Sequence, residues 1–489
     1  MAVHSDNNIH NIVLAAEQSE IPEETSGTGA APKPAGEAAA GPAKPLYRPF
    51  SRRAVIVLLL PIIIEQFLAN LGGLLSSMMV AFVGEDAISG VSMVEFIMMF
   101  FLAVFGALAA GGTVISGQYL GHREKHNARG AADQLLRFAI LAGVCVTVLV
   151  FFGRTFIIDN IFGSITPGVR TEALTYMTIV VFAIPSMPIY CACAAIFRTV
   201  GYTRLPMMAS MVMVGSNLAM AAAAVLVLDA GTFGVAVASL VSRWAGCLFL
   251  LFMVFTKTFP IRPYAKLYNP LRWDVIGRIL RIGVPFGIEN GLFHVGRIAI
   301  LGLVATYGTT AIAANAVGGI ICFFCVLPGM AVCFGGTAVI SRCVGAGDYE
   351  AARYYTRMLL KIAYISHVVV AIIIVAVLPF VMEAYGLSEE TSKVASAIVY
   401  WHLAMDLIFW PTAFCLPVTF RSAGDVRYPM MVSVIVMFLC RVVLAWVFGT
   451  VMGMGVLGTW YAMFADWIVR TVCFVHRYRS GKWTTFKSI

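Results

Sequence analysis

Apolar and polar positions in this chain fall into long blocks, not into the period of a half-buried helix or strand. From residue 54 onward, twelve apolar blocks follow one another near 54–83, 91–117, 133–153, 171–197, 205–228, 233–256, 275–303, 311–340, 354–382, 394–420, 428–451 and 455–476. About 20 apolar residues of helix cross a hydrocarbon core of roughly 30 Å. The pattern therefore predicts an all-α polytopic membrane protein with twelve transmembrane helices. Several blocks exceed that length, which predicts tilted or bent helices. Residues 1–46 are rich in Ala, Pro, Gly and Glu and contain no apolar run. They read as a disordered tail and not as a secretory signal.

The polar stretches between blocks alternate in charge. One set is basic, with Arg123 and Lys125, Arg198 and Arg204, residues 257–281, Arg342 to Lys361, Arg421 and Arg427, and residues 477–487. The other is short and acidic or neutral, with Glu85 and Asp86, Asp159, Asp229, Glu383, Glu389 and Glu390. By the positive-inside rule the basic set is cytoplasmic, so both termini are expected inside the plasma membrane. The longest connection, 257–273, carries Pro260, Pro263 and Pro270 and divides the apolar part in two. The expected organisation is a tail (1–46), a first lobe of six spans (47–256), a cytoplasmic linker (257–273), a second lobe of six spans (274–478) and a basic C-terminal tail (479–489).

The two lobes repeat each other. Pro61 and Glu65 return as Pro285 and Glu289, both at a spacing of 224 residues. Gly111-Gly-Thr ending at Gly121 matches Gly335-Gly-Thr ending at Gly345, again 224 apart. Phe197-Arg-Thr-Val-Gly-Tyr-Thr-Arg-Leu-Pro-Met-Met matches Phe420-Arg-Ser-Ala-Gly-Asp-Val-Arg-Tyr-Pro-Met-Met with one residue lost, and Pro188 falls on Pro411. Six spans per copy place both copies in the same orientation, related by an axis along the membrane normal. Two facing lobes of this kind suit alternating access better than a pore.

Composition narrows the function. The chain is 60% hydrophobic and 12% charged, against about 25% charged in soluble domains. Its formal charge of +9 is spread over the short loops, which argues for topology signals and against a nucleic-acid partner. Cys322-Phe-Phe-Cys325 has redox-motif spacing but lies within an apolar block, so it reads as packing, with no metal site or cofactor expected. No nucleophile–base set suggests an enzyme.

Ionisable groups inside apolar blocks are functional candidates by default. Glu65, Glu289 and Asp406 are the expected coupling acids, trading H⁺ or Na⁺ for a passenger molecule. Glu95, near the start of the second block, is expected at the mouth of a cleft. Asn70, Asn217, Trp401, Trp410, His294 and Arg297 are further cleft-lining candidates. Asp466 and Arg470, four apart, should pair along one helix. Glu289 is a candidate partner for Arg297, two turns on. Arg198 and Arg421 read as interfacial anchors or inside-gate contacts, and Gly121 and Gly345 as left-handed helix caps. Pro61, Pro285, Pro188 and Pro411 each remove a backbone hydrogen bond and mark bends or hinges. Paired methionines and aromatics fit an adaptable site for small amphipathic cations.

The Gly-Gly-Thr…Gly and Phe-Arg-x-x-Gly-x-x-Arg-x-Pro-Met-Met elements, present in both halves, resemble the multidrug and toxic compound extrusion (MATE) family over residues 50 to about 478. The resemblance implies a monomeric antiporter that expels organic, often cationic, compounds in exchange for H⁺ or Na⁺. It also implies acids where this chain has Ser76, Ala221 and Phe293. Two rival readings are a lipid-linked precursor flippase, which would need Arg243, Arg297 and Arg441 to converge, and a non-transporting membrane receptor or scaffold.

Overall fold

The computed structural model describes residues 49–161, 166–256, 259–264 and 270–486. The expected N-terminal tail, part of the 257–273 linker and residues 487–489 lie outside the described residues. The first lobe is built from α1 (Arg52–Ala81), α2 (Glu85–Gly121), α3 (Lys125–Ile161), α4 (Pro167–Val180), α5 (Ser186–Val200), α6 (Arg204–Leu226) and α7 (Gly231–Val254). The second is built from α8 (Trp273–Ala305), α9 (Thr309–Gly345), α10 (Tyr349–Ala384), α11 (Glu389–Trp410), α12 (Leu416–Ser422), α13 (Arg427–Val436), α14 (Leu444–Trp446) and α15 (Gly455–Arg479). Ten helices, some continued through π-turns, and one pair bent by 42° (α4 with its 3₁₀ turn, then α5) are long and apolar enough to span a membrane. With the 25-residue α15 they make twelve transmembrane helices in two lobes.

The helices overrun their apolar blocks at the polar ends. Helix α3 starts at Lys125, eight residues before the apolar run. Apolarity marks residence in hydrocarbon, whereas the helix continues wherever its hydrogen bonds can be made. In a bilayer the backbone must satisfy itself, which favours uninterrupted helices. Large side chains such as Phe152 (79% exposed) and Phe380 (71%) face outward, as a lipid-bathed surface requires.

The lobes share their cores at one end. Val55, Leu58, Leu59 and Ile62 of α1 pack with Val339, Ile340 and Tyr355 of the second lobe. Their repeat mates on α8, Ile279 and Ile282 among them, pack with Ala131, Leu135 and Phe197 of the first lobe. This is the end that carries the basic loops. At the acidic-loop end each lobe keeps its own core, around Val94 and Tyr176 in one and Val317 and Ile398 in the other. Midway, the rings of Phe67 and Phe324 (5.2 Å) and of Phe96 and His294 (6.2 Å) bridge the lobes.

The repeated glycines explain the joined end, and here the left-handed-cap reading is wrong. Gly121 and Gly345 are the last residues of α2 and α9, and the residues after them have φ −71° and −72°. The left-handed positions come two residues after each glycine, at Arg123 (φ 64°) and Gly347 (φ 70°). What Gly121 and Gly345 permit is contact. A Cβ on Gly121 would lie 2.1 Å from the Arg342 carbonyl oxygen, and one on Gly345 would lie 2.1 Å from the Gln118 carbonyl oxygen. Between them, a Cβ on Gly117 would meet Ser341 Oγ at 2.0 Å. Residues 117 and 341 are repeat mates, so α2 and α9 cross on the pseudo-twofold axis.

Two equivalent hydrogen bonds seal the crossing. Gln118 Nε2 donates to the Ser422 carbonyl at 2.8 Å, and Arg342 Nη2 donates to the Thr199 carbonyl at 2.8 Å. A side chain at 121 or 345 would push backbone against backbone, which cannot yield as a flexible side chain can. Gly121→Val and Gly345→Val are therefore expected to pry the lobes apart at this end. Alkylation of the neighbouring, fully buried Cys343, followed by mass spectrometry, should rise several-fold in each variant. Unchanged labelling would show that the crossing tolerates a Cβ.

Candidate functional site

Four carboxylates inside the spans are paired with arginines of their own lobe. Arg198 Nη2 of α5 donates to Glu65 Oε1 of α1 at 2.6 Å. Its mate, Arg421 of α12, donates to both oxygens of Glu289 of α8 at 2.8 and 2.7 Å. Each guanidinium also lies over an aromatic face: Arg198 over Phe334 at 4.8 Å, and Arg421 over Phe286 at 4.1 Å. Two expectations are corrected by this geometry. Arg198 and Arg421 are bridge partners, not interfacial anchors. Glu289 pairs with Arg421 and not with Arg297. Glu65 and Glu289 are each paired within their own lobe. A bare carboxylate is too costly in this medium, and an arginine one span bundle away is its nearest remedy.

The first lobe also holds a continuous polar chain. Ser76 Oγ donates to Asn217 Oδ1 at 2.6 Å, and Asn217 Nδ2 donates to Ser242 Oγ at 3.1 Å and Ser239 Oγ at 3.4 Å. Ser239 Oγ lies 2.9 Å from Tyr176 Oη, which donates to Glu95 Oε1 at 2.7 Å. Arg243 Nη2 closes the chain on both Glu95 oxygens, at 2.8 and 2.7 Å. Tyr176, Ser239 and Ser242 were not singled out in the sequence. Their signal was weak, since hydroxyls inside apolar helices usually bond their own backbone. Ser76 occupies one position where the family resemblance implies an acid, and here it is a neutral link.

The second lobe is built differently. Asp406 of α11 is fully buried and accepts from His367 Nδ1 of α10 at 2.7 Å and from Cys325 Sγ of α9 at 3.2 Å. Cys325 thus does more than pack. Trp410 lies against the His367 ring at 5.0 Å and stacks on Phe414 at 4.9 Å. Asp466 and Arg470 pair at 2.8 Å as expected, and Arg470 also reaches Ser433. Arg441 lies over Phe293 at 4.6 Å, in electrostatic reach of Arg297. Arg243 is engaged by Glu95 in the other lobe, so the three arginines that a flippase would need do not converge. Asn70 bonds the Gln66 carbonyl of its own helix, and Trp401 is half exposed against Tyr461.

The four prolines separate into two kinds. Pro188 lies just after the 42° bend between α4 and α5, and Pro411 starts the π-turn Pro411–Cys415. Pro61 and Pro285 lie inside unbroken helices.

Comparisons with known proteins agree with this architecture. The MatE family model matches residues 61–223 and 285–447, one match per lobe. A probable multidrug resistance protein of Bacillus subtilis (strain 168), YoeA, is 24% identical over 423 residues, covering 84% of this chain and 90% of that protein. A probable multidrug resistance protein of Thermotoga maritima, NorM, is 24% identical over 440 residues, covering 89% and 94%. A solved structure described as the outward-facing conformation of a multidrug resistance MATE family transporter of the MOP superfamily superimposes with a TM-score of 0.81 at 19% identity, covering 88% of this chain and 96% of that one.

The acid–arginine bridges give a test. Removing one partner strands the other charge in a dry bundle, which destabilises by about 3–5 kcal/mol. Glu289→Gln should lower stability by that order, and adding Arg421→Gln should cost little more. Thermal unfolding in detergent reads both, and fully additive losses would mean that the two side chains act independently.

Proposed function

Because the chain belongs to the MatE family, we propose that it is a secondary antiporter which exports small amphipathic organic cations in exchange for H⁺ or Na⁺ by alternating access. The observation that carries the reading is Glu95. Among the described membrane carboxyls, Glu65, Glu289, Asp406 and Asp466 have side chains at most 12% exposed, whereas the Glu95 side chain is 30% exposed. It is held by donors from two other helices, Tyr176 of α4 and Arg243 of α7. A carboxylate that is the most exposed of these, and whose counter-charge sits on a separate helix, can change partners when helices shift. When Arg243 withdraws, the carboxylate loses its counter-charge and is open to the coupling ion or to the charged end of a substrate.

The two-lobe closure supports alternating access. With the basic loops on the cytoplasmic side, as the positive-inside rule expects, the α2–α9 crossing closes the inner end. Both termini then lie in the cytoplasm, and residues 47–256 and 274–478 act as the two rocking lobes of a monomer in the plasma membrane. The Ser76–Asn217–Ser239–Tyr176 chain gives Glu95 a polar lining within the first lobe, so the exchange point belongs there.

Reconstituted vesicles test this directly. Uptake of a fluorescent organic cation should follow either an imposed pH gradient or an imposed Na⁺ gradient, and the comparison names the ion. Glu95→Gln should reduce gradient-driven uptake at least tenfold while the protein still binds the dye. Wild-type uptake by that variant would remove Glu95 from the coupling mechanism.

A further inference from the structure

The second lobe holds a cluster that the transport reading does not use. Cys325, His367 and Asp406 come from three different helices, and one donor atom of each lies within 4.8 Å of the other two. All three side chains are fully buried. We propose that they form a binding site for a divalent transition-metal ion of the zinc type, which ties α9, α10 and α11 together.

Donor chemistry selects the ion. Thiolate, imidazole and carboxylate form the mixed set that Zn²⁺ accepts in tetrahedral sites, whereas Na⁺, Mg²⁺ and Ca²⁺ prefer oxygen alone. Charge points the same way. A thiolate and a carboxylate together carry two negative charges, so a divalent ion leaves the cluster neutral in surroundings that cannot solvate a net charge.

Atoms left over by the hydrogen bonds supply the second observation. Asp406 Oδ1 is buried with no hydrogen-bond partner, beside the Oδ2 that accepts from both His367 and Cys325. A bidentate carboxylate would make it the fourth donor. Unpaired polar atoms in a packed interior call for a missing partner. The His367 ring is fixed with Nδ1 towards Asp406, because its Nε2 edge rests on Gly329, where even a Cβ would come within 2.6 Å. On binding, the ion replaces the thiol proton, which leaves to solvent, and His367 ligates through Nδ1 as the neutral imidazole with its proton on Nε2.

Cobalt reports the site. The full chain in detergent, stripped with EDTA and dialysed, should take up one Co²⁺ per chain. A near-ultraviolet thiolate-to-cobalt band should appear, and stoichiometric Zn²⁺ should abolish it. Cys325→Ser should remove the band, His367→Gln should weaken binding at least tenfold, and Cys322→Ser should leave both unchanged. Absence of the band in the unmodified chain would overturn the proposal, as would its survival in Cys325→Ser. The first of those outcomes needs no variant and so does not depend on any variant folding. Transport by the metal-free chain is a separate measurement, so failure here leaves the antiport reading standing.

Discussion

Charge in a medium that cannot solvate it is the constraint from which the rest of this structure follows. The chain places acidic residues where hydrocarbon surrounds the bundle, and nearly every one is matched by a cation on a neighbouring helix or turn. Glu65 has Arg198, Glu289 has Arg421, Glu95 has Arg243 and Asp466 has Arg470. Each match stays within one lobe. Either lobe can therefore move against the other as a body without exposing an uncompensated charge, which a bridge between lobes would not allow. The pairs also join the first and fourth crossings of each lobe, α1 to α5 and α8 to α12, and help to make each lobe a unit.

Against that background, the two lobes share a backbone plan but not a chemistry. The plan is repeated down to the glycines, the bridges and the left-handed turn at 123 and 347. The interiors diverge. The first lobe holds Asn217 in a chain of hydroxyls, and the second holds Arg441 over an aromatic ring. Asp406, with a histidine and a thiol, belongs to the second lobe. The two frames share one plan, and each holds a different polar interior.

How much of this could be read from the chain depends on the range of the interaction. The twelve crossings were legible because they rest on local apolarity, and the repeat was legible because its spacing is constant. The Asp466–Arg470 pair was legible because it lies within one turn. The partners of Glu65 and Glu289 were not, since they stand 133 and 132 residues away and no periodicity links them. Arg198 and Arg421 lay inside the repeated motif, so the motif was visible while its purpose was not. The Ser76–Asn217–Ser239–Tyr176–Glu95 chain and the Cys325–His367–Asp406 cluster likewise need five and three helices to meet. Gly121 and Gly345 were misread because a glycine at a helix end has two uses, and only a neighbouring helix distinguishes them.

The crossing of α2 and α9 has a consequence for how this chain can change over time. Gln118 and Arg342 both grip peptide carbonyls, at Ser422 and Thr199, so the identity of the gripped residue is nearly irrelevant. Mutational drift on that side leaves the latch intact. The unforgiving positions are those that present only a hydrogen atom to the opposing helix, because any larger group there alters the spacing of two helices at once.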